Sequence, residues 1–200
     1  VHKVFFEKLE GSTINYYPNI TVEELPGVLA DVTILVLRSK LKLNKRWIDL
    51  APKLQVIGRL GSGMDNIDVD YAKQKGITCL NAPEGNKNAV GEHCLGLLLN
   101  LMNHISKGNK EIKNGIWDRE GNRGEELEGK TVGIIGYGHN GMSFAEKLSG
   151  FNVNIIAYDK YKTGFSDGNV KEVSLKEIFK ISKFSVIYRI KSKIYNSKVI

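Results

Sequence analysis

Two hundred residues, 42% apolar and 26% charged, have the balance of an ordinary globular protein with one large or two small cores, not of a disordered or fibrous chain. The net charge of +7 comes from lysines spread along the chain, only mildly crowded over residues 180–198. No basic run is interleaved with aromatics, so nucleic acid is not expected as a partner. The longest apolar run, residues 94–99, is too short to cross a bilayer, so no membrane span is expected. Two cysteines, Cys79 and Cys94, sit in apolar stretches without metal-ligand spacing, and are expected to be buried, reduced thiols of a cytoplasmic protein without a metal.

In chain order, Val1, Val4, Phe5 and Leu9 recur at helical spacing before Gly11, predicting an opening helix. A first residue that is Val, not Met, suggests a start inside a longer reading frame. Residues 13–17 are short and β-prone. Thr21-Val22-Glu23-Glu24 has the form of a capping box and predicts a helix to about Leu29. The continuous apolar run of residues 31–38, DVTILVLR, predicts a buried strand. Asn44 is expected to cap a short helix through Leu50, stopped by Pro52; residues 54–58 read as a strand, Asp68 opens a helix ended by Gly76, and residues 77–80 form the next strand. This alternation predicts a parallel sheet covered on both faces.

The longest helical pattern follows: Val90, Cys94, Leu97, Leu98, Leu101 and Ile105 make one broad stripe. Residues 115–129 read as a polar loop. Then come a strand over 130–135, a glycine loop, a helix over 140–149 and a strand over 153–158. Ser174-Leu175-Lys176-Glu177 is a second capping box opening a helix to about Ile181, and residues 184–190 read as a last strand. The expected domain boundary lies near Pro83, with the long helix as a bridge, giving domains over 1–83 and 84–200.

Residues 132–148, VGIIGYGHNGMSFAEKL, place Gly136, Gly138 and Gly141 between a strand and a helix. In that context Gly136 permits the turn out of the strand. Gly138 lets a pyrophosphate approach the backbone, and Gly141 lets the helix pack close to the strand. The helix start attracts phosphate through its free amides and dipole. Asp159 ends the next strand, 21 residues after Gly138, where an acid binds the adenosine ribose hydroxyls. A carboxylate there repels a 2′-phosphate, which favours NAD over NADP; Lys160 and Lys162 soften that preference.

A second loop, residues 59–66 (RLGSGMDN), leaves the carboxyl end of a predicted strand. Two readings stand. Gly61 and Gly63 free amides to face an anion beside Arg59, or the segment is a turn and helix cap in which Asp65 and Asn66 only bond local backbone. Glu92 and His93 are adjacent on a helix and make a poor acid–base pair. His93 is expected to be a satisfied interdomain histidine, His2 and His104 surface residues, and Trp47 and Trp117 packing residues.

The order of these segments, GRLGSGMDNID, then AVGEHCLGLLLNLM, then VGIIGYGHNG with its acid in IIAYD, resembles the D-isomer-specific 2-hydroxyacid dehydrogenase family, as do NAPEGN and NGIWDR. The resemblance implies an α/β protein: a flavodoxin-like substrate domain and a partial Rossmann domain, a doubly wound parallel sheet that binds NAD. It further implies NAD-dependent oxidation of a small anionic D-2-hydroxy acid, in particular 3-phosphoglycerate in serine synthesis, by a homodimer. In such enzymes Arg38 and Ser39 help hold the substrate's phosphate or carboxylate. Arg59, Gly61, Ser62 and Gly63 line the substrate side, Ser62 also lying near the nicotinamide. His139 and Asn140 flank the pyrophosphate in place of the family's usual Arg-Ile pair, and Asp159 binds ribose.

The family's catalytic Arg, Glu and His are expected past Ile200, so none is assigned here. The first strand of the substrate domain and the second half of the Rossmann sheet are expected to be missing, which would leave the strand at 130–135 exposed along one edge. Tyr188-Arg189-Ile190 stands where family members show His-x-Pro. The alternative to an enzyme is a non-catalytic dinucleotide-binding or dimerisation module of the same fold.

Overall fold

The computed structural model describes residues 7, 8, 11 and 13–182 and the backbone of residues 184–187. The expected helix of Val1, Val4, Phe5 and Leu9, the surface position of His2, and the departure at residues 188–190 lie outside the described residues. The chain divides into two compact units, Val1–Ala82 and Pro83–Ile200.

In the first unit, helices α1 (Leu25–Leu29), α2 (Lys45–Asp49) and α3 (Val69–Gln74) accompany strands β1 (Ile34–Leu37), β2 (Val56–Arg59) and β3 (Thr78–Asn81). The strands pair in parallel in the order β1-β2-β3. Local caps set the helix starts: Asn44 accepts from the Trp47 amide and Asp68 from the Tyr71 amide. Gly76, at φ +76°, ends the turn that stops α3. The Thr21 box forms differently from expectation. Thr21 donates its amide (2.8 Å) and hydroxyl (3.0 Å) to the Glu24 carboxylate, but closes a turn ahead of the helix. The helix begins only at Leu25, because Pro26, with a fixed φ and no N–H, fits its first turn. Residues 13–17 form no strand.

The core of this unit lies on one face of its sheet, where Leu37 and Ile57 pack with Leu25, Leu29, Trp47, Ile48 and Ala72. The registers Ile34↔Val56↔Thr78 and Val36↔Gly58↔Leu80 define the other face. There Ile34 and Leu80 are 61% and 56% exposed. A sheet covered on both faces and a fully buried strand at 31–38 are therefore corrected for this unit. Among the described residues β1 lies at the edge of the sheet, and no described helix packs on that second face.

In the second unit, α4 (Lys87–Met102) and α5 (Ile105–Lys113) precede β4 (Thr131–Ile135), α6 (His139–Leu148), β5 (Asn154–Tyr158), β6 (Val170–Glu172), α7 (Leu175–Ile181) and β7 (Phe184–Ile187). Its sheet is parallel throughout, in the order β6-β5-β4-β7. Val132, Ile134, Ile155 and Ala157 face a core with Leu98, Met102, Phe144 and Leu148. Ile135 and Ile156 face the other way, onto Val173 and Ile178. Both faces are covered, as in doubly wound sheets.

Several features depart from, or go beyond, what the sequence predicts. β4 is not exposed along an edge: β5 pairs on one side and β7 on the other, with Val132 opposite Phe184. β6 is three residues long in a polar stretch and carries too little pattern to read in advance. The long helix ends at Met102, because His104 adopts a left-handed conformation (φ 52°) before α5 begins. Its buried face is Gly91, Leu98 and Met102, while Leu97, Leu101 and Ile105 are exposed. The cause is a close crossing with α6, inside the same unit. A Cβ on Gly91 would stand 2.9 Å from Ser143 Oγ and 3.1 Å from the Ser143 backbone, so this edge of α4 must turn inward. Cys79 and Cys94 are half-buried free thiols, not fully buried ones.

At α7 the capping box forms as its sequence predicts: Ser174 accepts from the Glu177 amide, and the Glu177 carboxylate accepts from the Ser174 amide and hydroxyl. These hydrogen bonds, first that from the Ser174 amide and then that from its hydroxyl, hold the Glu177 carboxyl below the usual glutamate range. A lowered folded-state value stabilises fully above the unfolded value and is lost as pH falls through the folded one. Thermal unfolding followed by circular dichroism is expected to show part of the acid-induced fall in midpoint disappearing in Glu177→Gln; an unchanged fall would show that the cap carries no acid sensitivity.

Candidate functional site

The glycine bend between β4 and α6 is tied to the end of β5. Gly136 turns out of the strand at φ +98°, and its amide donates to Tyr158 O at 2.8 Å. The Tyr137 amide donates to Asp159 Oδ2 at 2.8 Å, while Asp159 Oδ1 accepts from the Tyr161 amide at 2.8 Å. Tyr137 points its ring into the core, where it stacks on Phe165 with centroids 4.7 Å apart. Burial, and then the charge of Asp167, push the Tyr137 hydroxyl above its ordinary pKa. Glu172 in turn accepts from the Gly164 and Phe165 amides, fixing the loop that carries Phe165.

No side chain caps α6, so its first-turn amides have no partner among the described residues. The three glycines differ in what demands them. Gly136 needs its positive φ. A Cβ on Gly141 would run into the carbonyl oxygen of Gly136 and stand 3.3 Å from Ile134 Cγ2. Gly138 has an extended backbone (φ −89°, ψ −159°), and a Cβ there would meet nothing within 4 Å. Nothing in the chain requires glycine at that position, and the space before it is open. Asn140 Oδ1 is buried without a hydrogen-bond partner, and His139 Nε2 lies 3.5 Å from Glu84 Oε1. A bend with uncapped amides, an open approach and a carboxylate at its side fits a dinucleotide.

The second loop, at the carboxyl end of β2, is also held by specific bonds. Arg59 donates from Nη1 to Leu60 O (2.6 Å) and from Nε to Asn66 Oδ1 (3.3 Å); no described residue accepts from its Nη2. Asn66 Nδ2 donates to Arg38 O (3.1 Å) and Leu41 O (2.8 Å). Asn81 Nδ2 donates to Ser62 O (2.7 Å) and the Ala82 amide to Gly61 O (3.0 Å). Gly61 sits at φ +149°, where other residues are strained. Through Asn66 the structure ties Arg59 to the backbone of Arg38, with the side chains of Arg38 and Ser39 exposed after β1, while Gly61 and Ser62 are tied to Ala82 and Asn81.

Asn66 corrects the local-cap reading, since its partners lie 25 and 28 residues away in sequence. Asn66 and Asn81 are positioning residues that sequence reasoning missed; their only signal was an amide side chain next to a turn, and their partners are distant. Glu84 was missed for the same reason. One bland assignment is also corrected: Trp117 is 81% exposed, so it is not a packing residue. Trp47 is buried, and His104 is exposed. Glu92 pairs with Lys147 at 3.9 Å rather than with its neighbour. No cluster of three or more His, Cys, Asp or Glu among the described residues could hold a metal, and no described helix is long and apolar enough to cross a membrane.

The geometry agrees with the chain's relatives. Residues 2–180 match the family model of the D-isomer specific 2-hydroxyacid dehydrogenase catalytic domain. The chain is 40% identical over 162 residues to a hydroxypyruvate reductase of Thermotoga maritima, covering 81% of this chain and 53% of that protein. It is 43% identical over 142 residues to a D-3-phosphoglycerate dehydrogenase of Methanocaldococcus jannaschii, covering 71% of this chain and 27% of that protein. It therefore spans about half or less of these relatives' length. Among solved structures, an NAD-dependent formate dehydrogenase of Staphylococcus aureus in complex with NAD superposes with a TM-score of 0.77 at 28% identity, covering 96% of this chain and 58% of that one. From Asp159 fastened to its glycine bend to the match across residues 2–180, the chain belongs to the D-isomer specific 2-hydroxyacid dehydrogenase family.

Proposed function

We propose that the chain is the substrate-binding and NAD-binding part of an NAD-dependent D-2-hydroxyacid dehydrogenase. Residues 1–83 are assigned to the substrate domain and 84–200 to the cofactor domain. The observation that carries the reading is the pairing of an open, uncapped helix start at Gly138 with Asp159 bonded to the same bend. The amides of the bend and of α6 hold the pyrophosphate, with Asn140 and His139 beside it. Asp159 keeps lone pairs free of its two main-chain bonds and accepts the ribose hydroxyls, which favours NAD over its 2′-phosphorylated form. The bound nicotinamide supplies a hydride acceptor for the hydroxyl-bearing carbon. Arg38, Ser39, Arg59 and the main chain of Gly61, Ser62 and Gly63 hold the anionic groups of the acid, and Asn66 keeps the Arg59 fork oriented.

The substrate proposed is 3-phosphoglycerate, in cytoplasmic serine synthesis. Similarity to both a phosphoglycerate dehydrogenase and a hydroxypyruvate reductase supports a short, anionic hydroxy or oxo acid. No catalytic Arg, Glu or His is assigned within these 200 residues, so the chain alone is expected to bind dinucleotide without measurable turnover. NADH formation from 3-phosphoglycerate by the purified chain would contradict this.

A homodimer is proposed as well. Leu97, Leu101, Ile105, Ile112 and Ile116 are 42–56% exposed on α4, α5 and the turn after them, beside the protruding Trp117. Such a density of exposed apolar side chains marks an association surface. Sedimentation equilibrium is expected to give twice the chain mass for the wild type and a monomer for Leu101→Glu; an equally dimeric variant would place the contact elsewhere.

The glycines give the sharpest test of the cofactor site. Gly138→Ala is expected to leave the unfolding midpoint nearly unchanged and to weaken ADP-ribose binding at least about tenfold, because the methyl group enters only the ligand's space. Gly141→Ala is expected to cost about 1–3 kcal/mol of stability through overpacking. Calorimetry and denaturant unfolding of both variants check this. Equal ADP-ribose affinity in Gly138→Ala would contradict the pyrophosphate reading.

A further inference from the structure

Two Asn-Gly pairs occur in the chain, Asn114-Gly115 and Asn140-Gly141. In such a pair no side chain shields the glycine nitrogen, which can attack the side-chain carbonyl carbon of the asparagine before it. Two restraints oppose this inside a folded chain: a hydrogen bond that occupies the glycine amide, and hydrogen bonds that pin the asparagine side chain. Gly115 has the first, since its amide donates to Ile112 O at 3.0 Å.

Asn140-Gly141 has neither. The first helical bond of α6 runs from the Met142 amide to Gly138 O, at 2.9 Å. The Gly141 amide, one residue earlier, has no acceptor among the described residues. The Asn140 side chain makes no hydrogen bond, and its buried Oδ1 is left without a donor. Turning that amide onto the Gly141 nitrogen therefore gives up no polar contact of the side chain. The pair lies in the first turn, where a helix opens at least cost, and the space before Gly138 is clear. Gly141 itself is fixed by its closeness to the Gly136 carbonyl oxygen, so the asparagine at 140 is what creates the pair.

We propose that Asn140 is a self-deamidation site, which ages the free bend and which a bound dinucleotide protects. The Gly141 nitrogen forms a bond to Asn140 Cγ while the Cγ–Nδ2 bond breaks. The Gly141 amide proton leaves with Nδ2 as ammonia, and a succinimide ring remains. Water then opens the ring at either carbonyl, giving aspartate or, with the main chain rerouted through the side chain, isoaspartate. Either product puts a carboxylate in the first turn of α6. There it is favoured by the uncapped amides and competes with a pyrophosphate for them. Isoaspartate also adds a methylene to the backbone of that turn. The protection rests on the dinucleotide reading above, because a pyrophosphate oxygen that accepts the Gly141 amide occupies the nucleophile.

The test is incubation of the folded chain in mildly alkaline buffer with and without ADP-ribose, followed by peptide mass analysis and isoaspartate detection. Each conversion exchanges an NH2 for an OH and raises the peptide mass by about 1 Da. Asn140 is expected to convert in the folded chain within about ten half-lives of the same residue in the urea-unfolded chain, through local opening of the helix start. ADP-ribose at about ten times its Kd is expected to slow that conversion at least about fivefold, while Asn114 keeps its rate. Asn140→Asp is expected to bind ADP-ribose at least about tenfold more weakly without a lower unfolding midpoint. Asn140→Gln, whose longer side chain does not close that ring readily, is expected to keep its starting affinity through an incubation that lowers the wild type's. An unmodified Asn140 over the same period would overturn the site and leave the dinucleotide reading standing. Conversion that ADP-ribose, bound by calorimetry, fails to slow would overturn the protection and place the pyrophosphate away from Gly141. Equal affinity in Asn140→Asp would overturn the competition between product and ligand. Absence of heat from a fresh chain folded by circular dichroism would overturn the dinucleotide reading, and the protection with it.

Discussion

The carboxylate of Asp159 accepts the amide of Tyr137, the residue at the centre of the glycine bend, and on this hydrogen bond the arrangement of the second unit turns. The bond joins the end of β5 to the exit of β4, where the Gly136 amide already reaches Tyr158 O. With both strand ends fixed, the chain enters α6 along a set path, and the first-turn amides of that helix are left without a capping side chain. Tyr137 contributes from the other side: its ring is buried and stacked on Phe165, so the bend cannot rotate without opening the core. In the proposed reading, the bend is held rigid before a dinucleotide arrives, which lowers the entropic cost of binding.

The three glycines separate what folding requires from what the proposed ligand would require. Gly136 and Gly141 are demanded by the chain, through a positive φ and through the closeness of the Gly136 carbonyl oxygen to Gly141. Gly138 is not, since its conformation is open to any residue and no atom of the chain fills the space before it. The first unit repeats the logic with polar side chains. Asn66 and Asn81 stretch across the loop after β2 and fix Arg59 and the Gly61–Ser62 backbone, so a guanidinium fork and bare main chain are presented together.

Signals that act within a few residues were legible in the sequence. The strand, glycine bend, helix and terminal acid of the second unit could be read in advance, as could the caps at Asn44, Asp68 and Ser174, because each needs only neighbours in the chain. What failed depends on partners far away. The inward face of α4 is chosen by the contact of Gly91 with Ser143, 52 residues on, which no periodicity encodes. The apolar run at β1 implied burial on both sides, yet Ile34 and Val36 face solvent because an edge strand is covered only where a helix reaches it. Glu84 and Asn66 lacked any signal beyond their residue type, since their partners lie across the fold.

The most direct measurement of the central claim is an amide-resolved nuclear magnetic resonance titration of the chain with ADP-ribose. Saturable shifts largest at the amides of Gly138, His139 and Asn140, with Tyr137 moving as Asp159 engages the ribose, are the predicted result. Saturable shifts confined to other segments, or none at all in a folded sample, would contradict the claim that this bend receives the pyrophosphate.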